Sequence, residues 1–171
     1  MKYHTLKILE TFFILYYNHI MLKIYLETTI FNRFLEKNRE YHRETSELFN
    51  KILQNEVEAY SSTYVIEELD KASEPKRTEM LNVIKNYNIT ILEIDHRAYD
   101  LTETYIEMGI IPVKFRIDGI HIAMAAINDM DCIVSLNFHH INKLKTKMTT
   151  EIVHRMKGYN NPFICTPMEV I

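Results

Sequence analysis

Short apolar runs rich in β-branched residues alternate along the chain with longer stretches in which apolar residues recur at helical spacing. The runs predict five strands, at Leu22–Leu26, Val57–Ser61, Ile89–Ile94, Cys132–Ser135 and Phe163–Cys165. The stretches between them, such as SELFNKILQ and RTEMLNVIKNY, are too long for hairpins and predict helices. This alternation predicts a parallel α/β sheet with helices on both faces. In such sheets, ligands bind at the carboxyl ends of the strands.

Residues that cap or end helices stand at the boundaries of the helical stretches. The predicted starts are Thr28 or Thr29, Ser62 or Thr63, Asp95 and Asp118. The predicted stops are Gly109 and Gly158, because glycine tolerates the left-handed conformation that ends many helices. The start at Asp118 matters most for function, because it puts a carboxylate where the helix DGIHIAMAAI opens.

The composition is that of an ordinary single domain. Of the 171 residues, 47% are hydrophobic and 25% are charged, and no linker rich in Pro, Gly or Ser divides the chain. The formal charge of -3 excludes a strongly basic coat for nucleic acid, although it allows a local basic patch beside an acidic site. Cys132 and Cys165 lie in apolar contexts without metal-ligand spacing, which indicates buried free thiols in a reducing, cytoplasmic compartment.

The first twenty residues differ from the rest of the chain. The run ILETFFILYY is apolar but is interrupted by Glu10, and it is too short to span a bilayer. Because Met21 stands directly before the first predicted strand, we interpret residues 1–20 as an N-terminal extension. This extension is either a start-site artefact or a helix packed on the domain. The domain itself is predicted to run from residue 21 to residue 171, without a membrane segment.

Acidic and amide side chains stand at positions that this architecture brings together. Glu27 ends the first predicted strand, and Glu67 and Glu68 lie in a short helix after the second. Asp118 opens a later helix, and Asn137 follows the strand CIVS. Converging carboxylates repel one another unless a cation lies between them, and oxygen ligands of this kind suit Mg²⁺ or Mn²⁺. Such a cation can activate a water and stabilise an in-line displacement at phosphorus.

Each of these residues also has a purely structural interpretation. Asp118 alone is a reasonable helix cap, Glu67 and Glu68 suit a solvated helix face, and Asn137 is a common turn residue. Glu27 is the hardest to explain in this way, because a carboxylate at the end of a buried strand has few partners. Spacing alone therefore leaves two hypotheses open, a metal-dependent phosphodiester site and a structural α/β domain.

Four segments in order, IYLETTIFNRF, STYVIEEL, DGIHIAMAA and CIVSLNFHHI, resemble the PIN-domain family. The resemblance is to its VapC-like branch, which includes toxins of type II toxin–antitoxin pairs, and the ending GYNNPFICTPMEVI is similar to the tail of that branch. It extends from Leu22 to Ile171. The resemblance implies a three-layer α/β/α sandwich around a central parallel sheet. It also implies a ribonuclease that uses Mg²⁺ or Mn²⁺ to hydrolyse single-stranded RNA.

The resemblance also implies roles for individual residues and partners. Four polar residues would be catalytic, and the first three of them would bind the metal: Glu27, Glu68, Asp118 and Asn137. Glu67 stays open as the alternative to Glu68, because the motif could slip by one position. Thr28 and Thr29 stand where hydroxyl residues support the metal ligands. The implied partners are an RNA substrate, a cognate antitoxin that covers or enters the acidic cleft, and a second copy in a homodimer.

The main departure from the family pattern is Glu27, because this position is normally Asp. The extra methylene displaces the carboxylate by about 1.5 Å, and a misplacement of about 1 Å in a catalytic constellation can cost roughly 100-fold in rate. In addition, Ile117 replaces an acid that often precedes the position of Asp118. The alternative to a working ribonuclease is therefore a PIN-fold module that binds RNA or protein and has weakened turnover.

Histidine and lysine residues add to the site. His121 lies one helical turn after Asp118 and is interpreted as a supporting residue that hydrogen-bonds near the acids, because the histidine spacing matches no zinc pattern. Lys143, Lys145 and Lys147 follow the last acidic segment. They form either a solvated face or a basic rim that binds RNA phosphates.

Overall fold

The computed structural model describes residues 21–171, so the prediction of an extension at residues 1–20 lies outside the described residues. The strands are β1 (Leu22–Leu26), β2 (Val57–Ser62), β3 (Thr90–Leu92), β4 (Cys132–Val134) and β5 (Phe163–Cys165). The helices are α1 (Thr28–Leu35), α2 (His42–Leu53), α3 (Thr63–Leu69), α4 (Lys76–Asn86), α5 (His96–Glu107), α6 (Arg116–Ile127) and α7 (Leu144–Lys157). Short 3₁₀ turns occupy Val113–Phe115 and Pro167–Glu169.

The strands form one parallel sheet in the order β3-β2-β1-β4-β5. One apolar cluster packs α1 to α4 on the first face, and a second packs α5 to α7 on the other. Side chains alternate between the two faces of β1, so Ile24 and Leu26 join the first cluster and Tyr25 joins the second. The predicted three-layer α/β/α sandwich is confirmed.

The sheet has a topological switch point beside its central strand. The chain runs outward from β1 through β2 to β3, then returns to pair β4 with the opposite side of β1. The connections that follow β1 and β4 therefore run to opposite sides of the sheet. In sheets of this kind, such a divergence opens a crevice beyond the carboxyl ends of the two strands. Glu27 and Ser135 directly follow these two strands.

The second strand ends at Ser62 rather than Ser61 and the fourth at Val134 rather than Ser135, and two further predicted boundaries are wrong in ways that have a local cause. The third strand covers only Thr90–Leu92 rather than Ile89–Ile94, because it lies at the edge and pairs only with the end of β2. The helix that carries Asp118 begins at Arg116, so Asp118 lies in its first turn and does not cap it. The preceding 3₁₀ turn, closed by a hydrogen bond from Phe115 N to Pro112 O (2.8 Å), leads the backbone into the helix early.

The predicted helix ends at Asp95 and Gly158 agree with the structure, whereas Glu27, and not Thr28 or Thr29, is the residue that precedes α1. Asp95 caps α5 by accepting a hydrogen bond from Arg97 N at 2.8 Å, and Gly158 ends α7 with a φ of 76°. Both cysteines are free, but Cys165 is only partly buried, so the prediction of two buried thiols holds for Cys132 alone. No helix within residues 21–171 has the length and apolar character needed to cross a bilayer.

Candidate functional site

The Glu27 carboxylate lies at the junction of β1 and α1 and is 4% exposed. Its Oε2 accepts hydrogen bonds from Thr29 Oγ1 at 2.5 Å and from Ser135 Oγ at 2.9 Å. Thr29 Oγ1 also accepts from Leu136 N at 2.9 Å, which ties the first turn of α1 to the end of β4. Burial raises the pKa of Glu27, and the charge of His121 and the two hydroxyl groups offset only part of this effect.

Glu68, and not Glu67, faces the Glu27 end of the sheet. Its Oε2 accepts hydrogen bonds from Thr28 Oγ1 and from His121 Nε2, the second at 3.0 Å. Glu67 is exposed and makes no hydrogen bond or ion pair with the described side chains. Burial acts to raise the pKa of Glu68, but the hydrogen bond and charge of His121, with Thr28, outweigh it and lower that pKa.

A buried chain of hydrogen bonds links the core of the sheet to Glu68. Tyr25 OH lies 2.7 Å from Ser62 Oγ and 2.9 Å from His121 Nδ1, while His121 Nε2 contacts Glu68. Burial acts to lower the pKa of His121, but the hydrogen bond to Glu68 and the charges of nearby carboxylates outweigh it and raise that pKa. A protonated His121 donates from both ring nitrogens, to Glu68 and to the Tyr25 oxygen.

Asp118 approaches from α6 and has one oxygen without a partner. Its Oδ1 accepts a hydrogen bond from Asn137 Nδ2 at 3.0 Å, and Asn137 is fixed in turn by a bond from His140 N to its Oδ1 at 3.1 Å. Asp118 Oδ2 is buried and has no hydrogen-bond partner among the described residues. Burial raises the pKa of Asp118, as does the charge of Glu68, while His121 and Asn137 lower it. Buried polar atoms without a partner are rare in proteins.

The three carboxylates share one pattern. In each, the side-chain hydrogen bonds within residues 21–171 engage a single oxygen, which is Oε2 in Glu27 and Glu68 and Oδ1 in Asp118. The second oxygen of each lacks a side-chain partner in this part of the chain. A hard cation such as Mg²⁺ takes oxygen ligands of this kind, so the donor set and the orphaned Asp118 Oδ2 fit such an ion.

The arrangement of these groups is nevertheless not that of an assembled metal site. Within the described ranges, no three His, Cys, Asp or Glu side chains are placed to hold one ion together. Instead, His121 lies among these acids: burial acts to lower the pKa of its imidazole, but the hydrogen bond to Glu68 and the charges of Glu27, Glu68 and Asp118 outweigh it and raise that pKa. The structure thus brings the predicted acids into one electrostatic cluster, in which an imidazole contacts the helix acid.

Some members of this cluster were not recognised from the sequence. The sequence did not identify Tyr25, Ser62 and Ser135. Ser135 could have been found, because it directly follows β4, and the pairing of β4 with β1 brings it close to Glu27. Tyr25 carried a weaker signal, a hydroxyl group within an apolar central strand. The predicted supporting residues Thr28, Thr29 and His121 all make hydrogen bonds to the predicted acids.

The predicted basic rim lies on the segment that follows Asn137. Lys143 and Lys145 are exposed and Lys147 is half-buried, at the start of α7. Two cavities of about 280 Å³ and 530 Å³ are lined by other residues, and neither includes an acid of the cluster. The acids therefore lie outside both of these cavities, and the basic rim stays a prediction.

No protein-family model and no curated protein matches the sequence. Several solved structures are similar to it, including the following two. A chain in VapBC2 from Rickettsia felis, bound to a DNA fragment from its promoter, matches with a TM-score of 0.56 and 12% identity, covering 85% of this chain and 98% of that one. A chain in DNA-bound VapBC from Salmonella typhimurium matches with a TM-score of 0.54 and 17% identity, covering 86% and 99%.

Both matches extend over nearly the whole of the solved chains, so they describe the architecture of the entire domain and not of one motif. Identities this low establish the fold alone. The fold that they establish is the one implied by the four sequence segments. The chain therefore has a VapC-like PIN-domain fold.

Proposed function

We propose that this protein is a divalent-metal-dependent endoribonuclease that hydrolyses single-stranded RNA, and that it is the toxin of a type II toxin–antitoxin pair. The observation that carries the proposal concerns the second carboxylate oxygen of each acid. Glu27, Glu68 and Asp118 each use one carboxylate oxygen within the protein and keep the second without a side-chain partner among the described residues. These oxygens lie at a switch point, where α/β sheets bind ligands.

The residues around the acids hold them in position. Thr29 and Ser135 fix the Glu27 carboxylate, and Asn137 fixes one oxygen of Asp118. The proposed ligands for Mg²⁺ or Mn²⁺ are Glu27, Glu68 and Asp118, and such an ion would neutralise phosphate charge and activate the attacking water. Attack by water, rather than by the 2′-hydroxyl of the RNA, would leave 5′-phosphate and 3′-hydroxyl ends.

Thr28 and His121 hold the second proposed ligand, Glu68, by donating to its Oε2. His121 is itself held by Tyr25, which is completely buried, so the position of Glu68 is set by the core of the sheet. Charge-assisted hydrogen bonds of this kind are among the stronger ones in proteins. These contacts therefore hold the Glu68 carboxylate, including its Oε1, in one orientation before any ligand binds.

The proposed partners follow from the fold and from the charges beside the site. Lys143, Lys145 and Lys147 would bind RNA phosphates, since they follow the segment that holds Asn137. The similar structures are VapBC toxin–antitoxin complexes, which supports a cognate antitoxin that covers the acidic crevice, and a homodimer.

Cleavage of a 5′-labelled single-stranded RNA in Mn²⁺ tests the proposal. Glu68→Gln and Asp118→Ala should each lower the rate by at least about 100-fold, because a displaced group in a catalytic constellation has effects of this order. Glu67→Gln is the matched control, since this neighbouring acid is exposed, and it should cleave at the native rate. Products with 5′-phosphate ends support the proposal. Equal cleavage by the native chain and Asp118→Ala, or cyclic phosphate ends, would overturn it.

A second function is favoured by the position of His121. The imidazole contacts Glu68, and within residues 21–171 no three acidic or metal-binding side chains are placed around one point. A chain in which His121 neutralises the acids permanently would bind RNA or a protein without cutting. In that case the native chain would retard single-stranded RNA in a gel equally with Mn²⁺ and with EDTA, and no product would accumulate.

A further inference from the structure

Helix α7 has its apolar and polar sides reversed with respect to the core. Leu144, Met148, Ile152 and Met156 point outward and are 74%, 58%, 54% and 72% exposed. The inward side consists mainly of polar residues, namely Thr146, Thr150 and His154 beside Val153. A surface helix normally turns its apolar stripe to the core. The exposed stripe therefore indicates that something outside the domain covers this helix.

The polar inward side is a stable arrangement, because each of its polar groups has a partner. Thr146 Oγ1 donates to His140 O at 2.7 Å, and Thr150 Oγ1 donates to Thr146 O at 2.8 Å. His154 contacts Tyr105 OH through Nε2 and Asn161 Oδ1 through Nδ1, the latter at 2.8 Å. The reversal is thus built into the packing of α7, and rotating the helix to bury its apolar stripe would break the bonds of Thr146 and His154 to residues outside the helix.

The outward residues form a single ridge that is inclined to the axis of α7. They follow one another at intervals of four along α7, from Leu144 to Met156, which corresponds to a length of about 18 Å. Ridges of this i, i+4 type insert into the grooves between the equivalent ridges of another helix. The shape therefore fits a second helix of about three turns better than it fits a flat surface.

The charged residues beside the ridge are mostly basic. Five basic residues and one acidic residue lie on or next to the helix: Lys143, Lys145, Lys147, Arg155, Lys157 and Glu151. The only ion pair among them in the described part of the chain joins Arg155 to Glu151 at 2.6 Å. The lysines are left without carboxylate partners there, although the whole chain has a formal charge of -3.

We propose that this ridge, Leu144–Met156, docks an amphipathic helix of a partner protein whose apolar stripe is flanked by acidic residues. Charge complementarity decides between the occupants. A second copy in a two-fold contact would bring the basic flanks together, which is unfavourable. RNA bound at the lysines, as proposed above, would leave the four apolar side chains uncovered. A helix laid into such a surface uses both its apolar ridge and its flanking charges.

The test uses the full chain and a fluorescein-labelled synthetic helix of 18 residues, with Leu at positions one, five, nine and thirteen and Glu at the flanking positions. A matched peptide carries Lys in place of Glu. Fluorescence anisotropy should show that the acidic peptide binds at least tenfold more tightly than the basic one. Ile152→Glu should weaken binding of the acidic peptide at least tenfold. Leu53→Glu is the control, since Leu53 is 60% exposed and lies on α2, which packs in the opposite layer.

Several outcomes would overturn the proposal. These are absence of binding by the acidic peptide, equal binding of both peptides, and equal effects of Ile152→Glu and Leu53→Glu. Light scattering that shows a dimer which Ile152→Glu dissociates would assign the ridge to a second copy. Binding to vesicles of phosphatidylglycerol, or to single-stranded RNA, that is lost in Ile152→Glu would assign it to a membrane or a nucleic acid. Circular dichroism must show native helix content for both variants. The inference does not depend on the ribonuclease proposal, since no step requires RNA cleavage.

Discussion

His121 Nε2 lies 3.0 Å from Glu68 Oε2, in an interior where the imidazole is 1% exposed. This contact joins two residues that are 53 positions apart in the sequence, one on α3 and the other on α6. It gives Glu68 a buried hydrogen-bond partner, and it places among three carboxylates an imidazole whose pKa they raise. The contact therefore bears both on the stability of the site and on the position of Glu68, a proposed metal ligand.

The first prediction concerns the stability that His121 provides. His121→Ala removes a partner from Tyr25 OH and from Glu68, and leaving buried polar groups unsatisfied costs about 1 to 3 kcal/mol each. We expect the free energy of unfolding, measured with urea, to fall by about 2 to 4 kcal/mol. His139→Ala is the control, because His139 is exposed, and it should change stability by less than about 0.5 kcal/mol. Equal effects of the two substitutions would contradict the prediction.

The second prediction concerns pH. The pKa of Glu27 is raised from its ordinary value of 4.5, so the protonated form of this residue favours folding, and its contribution is complete below pH 4.5 and is lost as pH rises through the folded pKa. The pKa of His121 is also raised, so its contribution to stability is likewise lost as the pH rises above its ordinary pKa of 6.5. Glu68 acts oppositely, because its pKa is lowered and its contribution is lost as pH falls.

The difference between the native chain and Glu27→Gln isolates this effect. We expect the native chain to lose stability relative to Glu27→Gln as pH rises from about 4.5 to about 8, because the variant has no carboxylate to ionise in the interior. Urea unfolding at several pH values measures this difference. A difference that stays constant with pH, or that changes with the opposite sign, would show that Glu27 is not held in a site that disfavours its charge.

How far the sequence alone predicts this molecule depends on the range of the interaction. The strand–helix alternation and the acid at the end of the first strand are local patterns, and they predicted the parallel sheet with helices on both faces and a site at the carboxyl ends of its strands. The choice between Glu67 and Glu68 could not be made, because it depends on how α3 rotates against its neighbours. The Tyr25–His121 bond spans 96 residues, and no local pattern reports it.

The third prediction concerns the length of the Glu27 side chain. Glu27→Asp withdraws the carboxylate by about 1.5 Å, so we expect it to lose the bond from Ser135 on the neighbouring strand and to cleave RNA about 100-fold more slowly. Initial rates in Mn²⁺, with folding checked by circular dichroism, measure this effect. Faster cleavage by Glu27→Asp than by the native chain would show instead that Glu27 weakens turnover, as the alternative hypothesis states.

The fourth prediction concerns the basic rim. Replacing Lys143, Lys145 and Lys147 with Gln should weaken binding of single-stranded RNA and lower the slope of log affinity against log salt concentration by about 2, since each phosphate contact contributes about 0.7. Filter binding between 50 and 300 mM NaCl measures the slope, because slopes of this size are resolved over such a range. Lys85→Gln, at an exposed position on α4 in the other layer, should leave the slope unchanged. An unchanged slope in the triple variant would show that RNA binds elsewhere.

The most direct test of the central claim, that the three carboxylates bind a divalent cation, is calorimetric titration of Mn²⁺ into the native chain and into Asp118→Asn. Asn keeps the Oδ1 acceptor that Asn137 uses but replaces the unpartnered oxygen with an amide. We expect the native chain to bind Mn²⁺ and the variant to bind it at least about tenfold more weakly, as loss of a group at a metal site does. Equal affinity of the two proteins, or no binding by the native chain, would contradict the claim.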